Sequence, residues 1–420
     1  MSRQHVIIIG AGASGLIAGS EIAEKFDVTL VETNHQTGGR IRTFPAGSGD
    51  GIIEHGAEFV HGETPITTKL VKDAGLELLK LDGKMLRKQD KQWIEEEDMI
   101  EGWDDLLHKM KGQRSDMTMD QFIQKHFADD KFAELRRHIR AFVQGFDVAD
   151  TSEISLQSLY REWSNESDQF RIKTGYGSLI QFLEKKCIQS GCGIYTGETA
   201  KQIDWKKNEV TVYTSSGKKF SGNKVLITVP VSILKDLQGK ASINFIPPVD
   251  DYISAARDIG FGTVIKVVLE LKEKIWPDKT GFIFSDEMFP TWWTQYPVDN
   301  NLITGWVGGP GASGLRHYTD QELLNIATDA LAHIFDLSPS GIRKIISYSF
   351  VFNWGKYDES SGAYSFSTPD SVSARKLLNT PLDHTVYFAG EALYEGEYSG
   401  TVEAAFNSGL NAAKVLLKSI

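Results

Sequence analysis

Hydrophobic positions along the chain change period several times, and each change marks an element. Val6–Ile9 is continuously apolar and runs at once into a glycine-rich turn, the pattern of a buried strand that bends sharply into a helix. Val28–Val31 is a second such strand. From Thr64 to about Lys186 apolar residues recur at three- and four-residue spacings, as in Ile66, Leu70 and Val71, then Phe122, Ile123 and Phe127, then Leu135, Ile139, Phe142 and Val143, which predicts a helical block. Strands return between Ile194 and Val231, with Glu209–Tyr213 and Lys224–Pro230 on either side of a turn at Ser216, Gly217 and Lys218. Strands also dominate from Ala241 to Ser349, as Thr263–Leu271, Gly281–Phe284, Thr291–Gln295, Leu302–Val307 and Ile345–Phe352, with one amphipathic helix over Asp320–Phe335. A last apolar strand, Thr385–Gly390, precedes a Gly- and Ala-rich helix over Thr401–Leu417. This order predicts an α/β protein with a Rossmann-like domain assembled from residues 1–62, 187–240 and 375–420. Residues 63–186 and 241–374 then form an α+β substrate-binding domain with a mixed sheet, and the site lies at the seam.

Candidate chemistry begins at the first turn. Gly10, Gly12 and Gly15 form a GxGxxG that follows a strand and opens a helix. In such a turn the first glycine permits the tight bend, the second lets backbone approach a pyrophosphate, and the third lets helix and strand pack closely. From Ala13 and Ser14 the helix presents unpaired N–H groups and a positive dipole end to the anion. Glu32 closes the second strand, where a carboxylate accepts hydrogen bonds from an adenosine ribose. Next come Gly38, Gly39 and Arg40: glycines that allow close backbone approach, and an arginine able to fork onto phosphate or shield it. A nicotinamide-binding domain would more usually enter its next crossover helix here, so the pattern leans towards a flavin dinucleotide buried along its length.

Composition narrows the partners rather than the reaction. A chain of 420 residues with 41% hydrophobic and 24% charged residues suits a soluble enzyme of two or three domains. Its net charge of -11 argues against nucleic acid and mildly favours cationic ligands. No apolar run approaches membrane-spanning length and nothing reads as a signal peptide, so a cytoplasmic location without a membrane partner is expected. Cys187 and Cys192 are the only cysteines; they read as two free thiols in a short loop, and no metal is expected.

Several ordered segments then converge. GAGASGL, GGRIRTF, EHGAEFVHG, GYGSLIQFL, KVLITVPVSIL, FGTVIKVVLELKEKIW, WGKYDESSGAYSF and YFAGEALYEGEYSGTVEAAFNSG resemble the signature segments of the flavin-containing amine oxidases, a family that includes monoamine oxidases, polyamine oxidases and flavin-dependent histone demethylases. The resemblance covers essentially the whole chain, and the terminal segment is the most specific.

The resemblance implies FAD as cofactor and a set of contacts. Ala13, Ser14, Glu32 and Arg40 match pyrophosphate and ribose contacts, while Glu58 and Phe59, after Gly56 and Ala57, match backbone contacts beside the flavin ring. Ala200, two strands ahead of the TVP segment, matches a main-chain contact to adenine. Glu391, after Gly390, matches the acid near the ribityl chain, and Thr401 with Val402 matches the helix start facing the ring's pyrimidine end. A helix N-terminus there stabilises the charge that collects at N1/O2 of reduced flavin.

Lys266 is the catalytic candidate. A lysine inside an apolar strand either sits on the solvent face of an alternating strand or is buried for a reason. The resemblance implies the second, with Lys266 holding a water against flavin N5, and places Tyr364 and Tyr398 near the family's aromatic cage, where rings orient an amine. It also implies non-covalent FAD, because Ala363 stands where some members carry the attaching cysteine. Asn34 replaces a frequent arginine, His61 replaces an acid of some polyamine oxidases, and Thr401 replaces the second cage tyrosine of monoamine oxidases. The implied reaction is hydride transfer from an amine's α-carbon to flavin N5, hydrolysis of the imine to aldehyde or ketone, and reduction of O2 to H2O2. An amino acid oxidase, a carotenoid or porphyrinogen desaturase, or a flavin-binding protein without turnover are the alternatives; the first needs a cation for a carboxylate, and Arg136, Arg137 and Arg171 are unplaced by sequence.

Overall fold

The computed structural model describes residues 3–49, 51–62, 64–89, 91–95, 101–164, 168–396 and 398–419. Five parallel strands form one sheet in the order Gly193–Tyr195, Asp27–Val31, His5–Ile9, Lys224–Ile227 and Val386–Phe388, so both chain ends and the middle meet in a single layer. Continuous apolar runs are what such strands need, since both faces are covered. Val6 and Ile8 pack with the helices Ala13–Ile22, Tyr176–Gln189 and Val402–Leu417, while Ile7 and Ile9 pack on the opposite side with Val210, Val212, Phe245 and Tyr252.

The side chains in these two cores lie beyond the expected seams. Leu70 and Val71 of the helix Pro65–Asp73, and Leu179 and Leu183 of Tyr176–Gln189, share a core with the first strand although they fall inside the stretch 63–186. Likewise Asn244–Ile246 pairs with Ala200–Lys206, and Tyr252 and Ala256 pack under the parallel sheet, so the boundary expected at 240 falls too early. An amphipathic helix carries no local sign of which sheet its apolar stripe covers.

A second sheet has seven strands in the order Ile346–Asn353, Val264–Leu271, Leu302–Gly308, Thr291–Thr294, Thr280–Phe284, Lys84–Gln89 and Gln92–Glu95. It is mixed, as expected: Thr280–Phe284 pairs in parallel with Lys84–Gln89 and the other neighbours are antiparallel. The last two strands come from the region read as helical, as do Leu78–Lys80 and Gln169–Ile172, the second of which lies between Leu78–Lys80 and Phe59–His61 in a three-stranded sheet. The helix Asp320–Phe335 begins and ends where its pattern predicts: Thr319 and Glu322 form a reciprocal capping box, and Asp336 turns left-handed at φ 53°. Its Leu323, Ala327 and Leu331 cover Ile265, Val267 and Leu269. The alternation of the strand therefore turns Val264, Lys266 and Val268 the other way, where Val268 packs on Ile53 and Phe352 and Val264 on Trp354. No helix among the described residues is long and apolar enough to cross a membrane.

Candidate active site

At the glycine turn the structure separates three roles. Gly10 has φ 104°, and a Cβ on Gly15 would lie 2.1 Å from the Gly10 carbonyl oxygen, so that glycine is demanded by the helix resting on the strand. Gly12 differs: its φ is -80°, and a Cβ there would find no protein atom nearer than 3.8 Å. Ser14, in the first turn of the following helix, buries its Oγ without a hydrogen-bond partner. The loop of Gly38 and Gly39 leans on this turn, with the Gly38 N–H donating to the Ala11 carbonyl at 2.8 Å.

Glu32 faces the same turn. Its Oε2 accepts the Ala11 N–H at 2.7 Å, and its Oε1 accepts the backbone and side-chain N–H groups of Asn34 at 2.9 and 3.1 Å. Asn34, standing where an arginine is frequent, thus orients the acid. Arg40 donates through Nη1 to the Ala363 carbonyl at 2.7 Å and to Glu391 Oε1 at 2.8 Å, while Ser365 Oγ donates to Glu391 Oε2 at 2.5 Å. The residue expected on phosphate and the acid expected on the ribityl chain are therefore an ion pair with each other. Gly390, φ 150°, leaves open space like Gly12, with Val229 O at 3.9 Å the nearest atom to a Cβ. Gly56 is required by packing, since a Cβ would meet the Arg40 carbonyl at 1.9 Å, and the Ala57 N–H bonds that same carbonyl at 3.2 Å. Thr401 caps the helix Val402–Leu417 by accepting the Ala404 N–H at 3.2 Å. Ala200 is buried at the start of its strand, three strands rather than two before the one that leads into Thr228–Pro230.

Lys266 is 1% exposed, which removes the solvent-face alternative. Its ammonium donates to the Glu54 carbonyl and to Glu58 Oε2, both at 2.6 Å, and lies 5.5 Å from the centre of the Trp293 ring. Glu58 Oε1 accepts from Arg171 Nη2 at 2.8 Å and from Trp293 Nε1 at 3.0 Å. Burial alone would push the Glu58 carboxyl up, but Lys266 and Arg171 together hold it below its ordinary value. Burial instead drives His55 down to about 3, helped by Arg42 and Lys266, and His61 down to about 4, so both imidazoles are neutral. Lys266 sits opposite Trp306 and Phe352 in the sheet. Trp306 and Tyr364 each pack against one small core of Val148, Val264, Trp354 and Ala363, on the side of the strand that carries Lys266. The Tyr364 hydroxyl donates to the Phe146 carbonyl at 2.6 Å, and a Cβ on Gly400 would meet the Tyr364 ring at 3.0 Å. Tyr398, half-buried, is two residues from that contact, its carbonyl fixed by Thr401 Oγ1 at 2.6 Å.

Residues 13–417 match the family described as flavin containing amine oxidoreductase. The chain belongs to that family. Its similar proteins include polyamine oxidase 4 of Oryza sativa subsp. japonica, 26% identical over all of this chain and 90% of the relative, and lysine-specific histone demethylase 2 of Homo sapiens, 25% identical over 98% of this chain and 53% of the relative. Among solved structures, putrescine oxidase bound to putrescine superposes with a TM-score of 0.82 at 16% identity over 99% of both chains, and cyclohexylamine oxidase from Brevibacterium oxydans IH-35A with 0.80 at 18% identity over 100% and 99%. The fold is that of these oxidases. The flavin-containing family's cofactor also suits the residues on their own terms: Gly12 and Gly390 leave faces that a Cβ would fill, and the orphaned Ser14 Oγ waits at a helix N-terminus for an acceptor or donor.

Three features of this amine oxidoreductase were missed in the sequence. Arg171 and Trp293 reach Glu58 from distant strands, and the buried Asp147, next in the chain to Phe146, meets the half-buried Glu162. Only periodicity could have hinted at Arg171, which interrupts an apolar pair, Phe170 and Ile172. Glu54 is the third: it accepts the Tyr176 N–H at 2.6 Å and the Thr43 hydroxyl at 2.7 Å, and burial raises its pKa to about 7 despite both bonds. A carboxyl raised above its unfolded value stabilises the fold at low pH and forfeits that contribution as pH climbs from about 4.5 to about 7. Denaturant melts of the holoenzyme at pH 5 and pH 8 should show Glu54→Gln losing less stability than wild type between them, by about 3 kcal/mol at most. Equal losses in the two proteins would mean that Glu54 is ionised throughout.

Proposed function

We propose that the chain oxidises a small amine with O2, a primary amine, O2 and water giving an aldehyde or ketone, ammonia and H2O2, at a site bounded by Lys266, Tyr364 and Tyr398. The observation that carries this reading is the buried Lys266 ammonium, which spends two of its three N–H groups on Glu54 and Glu58; the third is the one proposed to hold a water. FAD, when bound, would supply the two-electron oxidant, with O2 as the final acceptor. The glycine turn, Ser14 and the first helix N-terminus hold the pyrophosphate, Glu32 receives the ribose, and the helix start at Thr401 and Val402 faces the ring's pyrimidine end. Arg40 and Glu391 act as one paired unit beside the ribityl chain. Attachment is non-covalent: Ala363 offers no sulfur, and Cys187, at the end of the Tyr176–Gln189 helix, and Cys192 point their thiols at the Leu16 and Gly19 carbonyls. Two free thiols support a reducing, cytoplasmic setting.

Tyr364 and Tyr398 orient the amine, and the closed aromatic surroundings of Trp293, Trp306 and Phe59 exclude bulk water. With His55 and His61 neutral, an incoming amine meets uncharged imidazoles. Arg136 and Arg137 give amino acid oxidation no support: Arg136 is bound to the Phe127 and Asp129 carbonyls and Arg137 to Glu134 and Asp286, while Arg171 spends Nη2 on Glu58. The names of the similar proteins favour amines in general without choosing one. Anaerobic bleaching of the flavin by a panel of mono-, di- and polyamines, N-methylated amines and amino acids tests the reading, which fails if no amine bleaches it. Because only the uncharged amine reacts, kcat/KM should rise with pH towards the amine's own pKa; a steady fall from neutral to mildly alkaline pH with the fold intact would count against it.

A further inference from the structure

Arg171, Glu58 and Lys266 form a buried run of charges that a catalytic lysine does not by itself explain. Their side chains are 5%, 6% and 1% exposed, and Glu58 bridges the two cations at 2.8 and 2.6 Å. The two carboxylate oxygens are divided between partners. Oε2 takes Lys266, while Oε1 takes Arg171 and Trp293, so the group cannot turn to meet Lys266 with both oxygens. If Glu58 served only to make Lys266 burial tolerable, the pair alone would be neutral. Arg171 adds a second cation, and the trio carries one net positive charge. The neighbouring groups do not cancel it below neutral pH. His55 and His61 are neutral, and Glu54 meets Lys266 through its carbonyl while its carboxyl is turned to Thr43 and Tyr176. The remaining N–H groups of Arg171, on Nε and Nη1, are buried without an acceptor, and its guanidinium lies 5.3 Å from the Phe59 ring centre. Among the described residues no second anion holds it. An unbalanced charge in a dry interior is costly, and is kept where a negative charge arrives.

We propose that Arg171 is a positioning residue: by occupying Glu58 Oε1 it stops that carboxylate from neutralising Lys266, so the trio faces the cofactor with one net positive charge and favours its reduced, anionic form. The inference rests on the reading that the flavin ring lies against Lys266.

Redox titration of the bound flavin in Arg171→Gln, Arg171→Lys and Glu58→Gln tests it. Loss of the cation should lower the midpoint potential by at least tenfold in the reduction equilibrium, about 30 mV for a two-electron couple. Arg171→Lys keeps the charge and should recover most of that shift, whereas Glu58→Gln should move the potential the opposite way. A merely structural role would disturb packing in both without opposite signs. An unshifted potential in Arg171→Gln with FAD retained, or shifts of one sign in Arg171→Gln and Glu58→Gln, would overturn the proposal. If Arg171→Gln does not fold, Arg171→Lys near wild type together with an upward shift in Glu58→Gln supports it, and any other pair of results overturns it. Opposite-signed shifts in a protein that no amine bleaches would uphold the charge inference while the amine reading fails, and amine turnover with unshifted potentials would do the reverse.

Discussion

Lys266→Met should yield a folded protein that retains FAD, with reoxidation of its reduced flavin by O2 slowed on the order of 100-fold or more. Methionine matches the length of the lysine stem and suits an apolar strand, so the Val264–Leu271 strand keeps its packing against the Asp320–Phe335 helix. Glu58 is not left unpaired, because Arg171 and Trp293 still hold Oε1 at 2.8 and 3.0 Å. The trio becomes a neutral pair. What disappears is the ammonium, its remaining N–H, and the water that N–H is proposed to hold. Stopped-flow measurement of the two half-reactions separates the effects: reoxidation should fall far more than reduction by amine, with the thermal midpoint close to wild type. Reoxidation at the wild-type rate would reduce Lys266 to a buried structural lysine and remove the observation on which the proposed function rests.

Legibility of this molecule follows the range over which its interactions act. Local features were readable: the strand His5–Ile9 into the helix Ala13–Ile22, the capped helix Asp320–Phe335, and the terminal helix from Val402 all depend on neighbours a few residues away. The hairpin at one end of the seven-stranded sheet was not. Lys84–Gln89 and its edge partner Gln92–Glu95 carry charged and polar residues, and that dilutes the alternation on which a strand is recognised. The seams between domains were also misplaced, since Tyr176–Gln189 and Asp250–Arg257 are amphipathic helices whose covering partner is chosen in three dimensions.

The site divides the same way. The glycine turn and Glu32 form a compact motif, whereas Glu58 was read only for its backbone. Its side-chain partners are 113 residues away at Arg171 and 208 away at Lys266, joined by sheet packing that no short pattern encodes. The ion pair of Arg40 with Glu391 spans 351 residues, which is why two residues assigned separately to phosphate and ribityl chain turn out to share one hydrogen bond.

Gly12→Val should abolish FAD binding and spare the fold, while Gly15→Ala should do the reverse in order of cause, destabilising the fold and losing FAD as a consequence. Both glycines belong to one motif, but a Cβ meets different things at each. At Gly12 the backbone is extended, φ -80° and ψ -172°, a conformation valine prefers, and the nearest protein atom to a Cβ is 3.8 Å away. The added side chain therefore projects into the space where backbone approach to a pyrophosphate is needed. FAD affinity should drop on the order of 100-fold or more, equivalent to about 2.7 kcal/mol, with the melting temperature of the FAD-free protein unchanged. At Gly15 a Cβ would lie 2.1 Å from the Gly10 carbonyl oxygen and 2.9 Å from Thr228 Oγ1, and backbone cannot yield as a flexible side chain does. The helix must lift from its strand, at a cost of roughly 1–3 kcal/mol or more from overpacking, even though alanine is the better helix former. Melting both variants with and without added FAD distinguishes the two mechanisms. Gly12→Val purified with stoichiometric flavin would mean that the pyrophosphate lies elsewhere on the sheet, and that the glycine turn is a packing device alone.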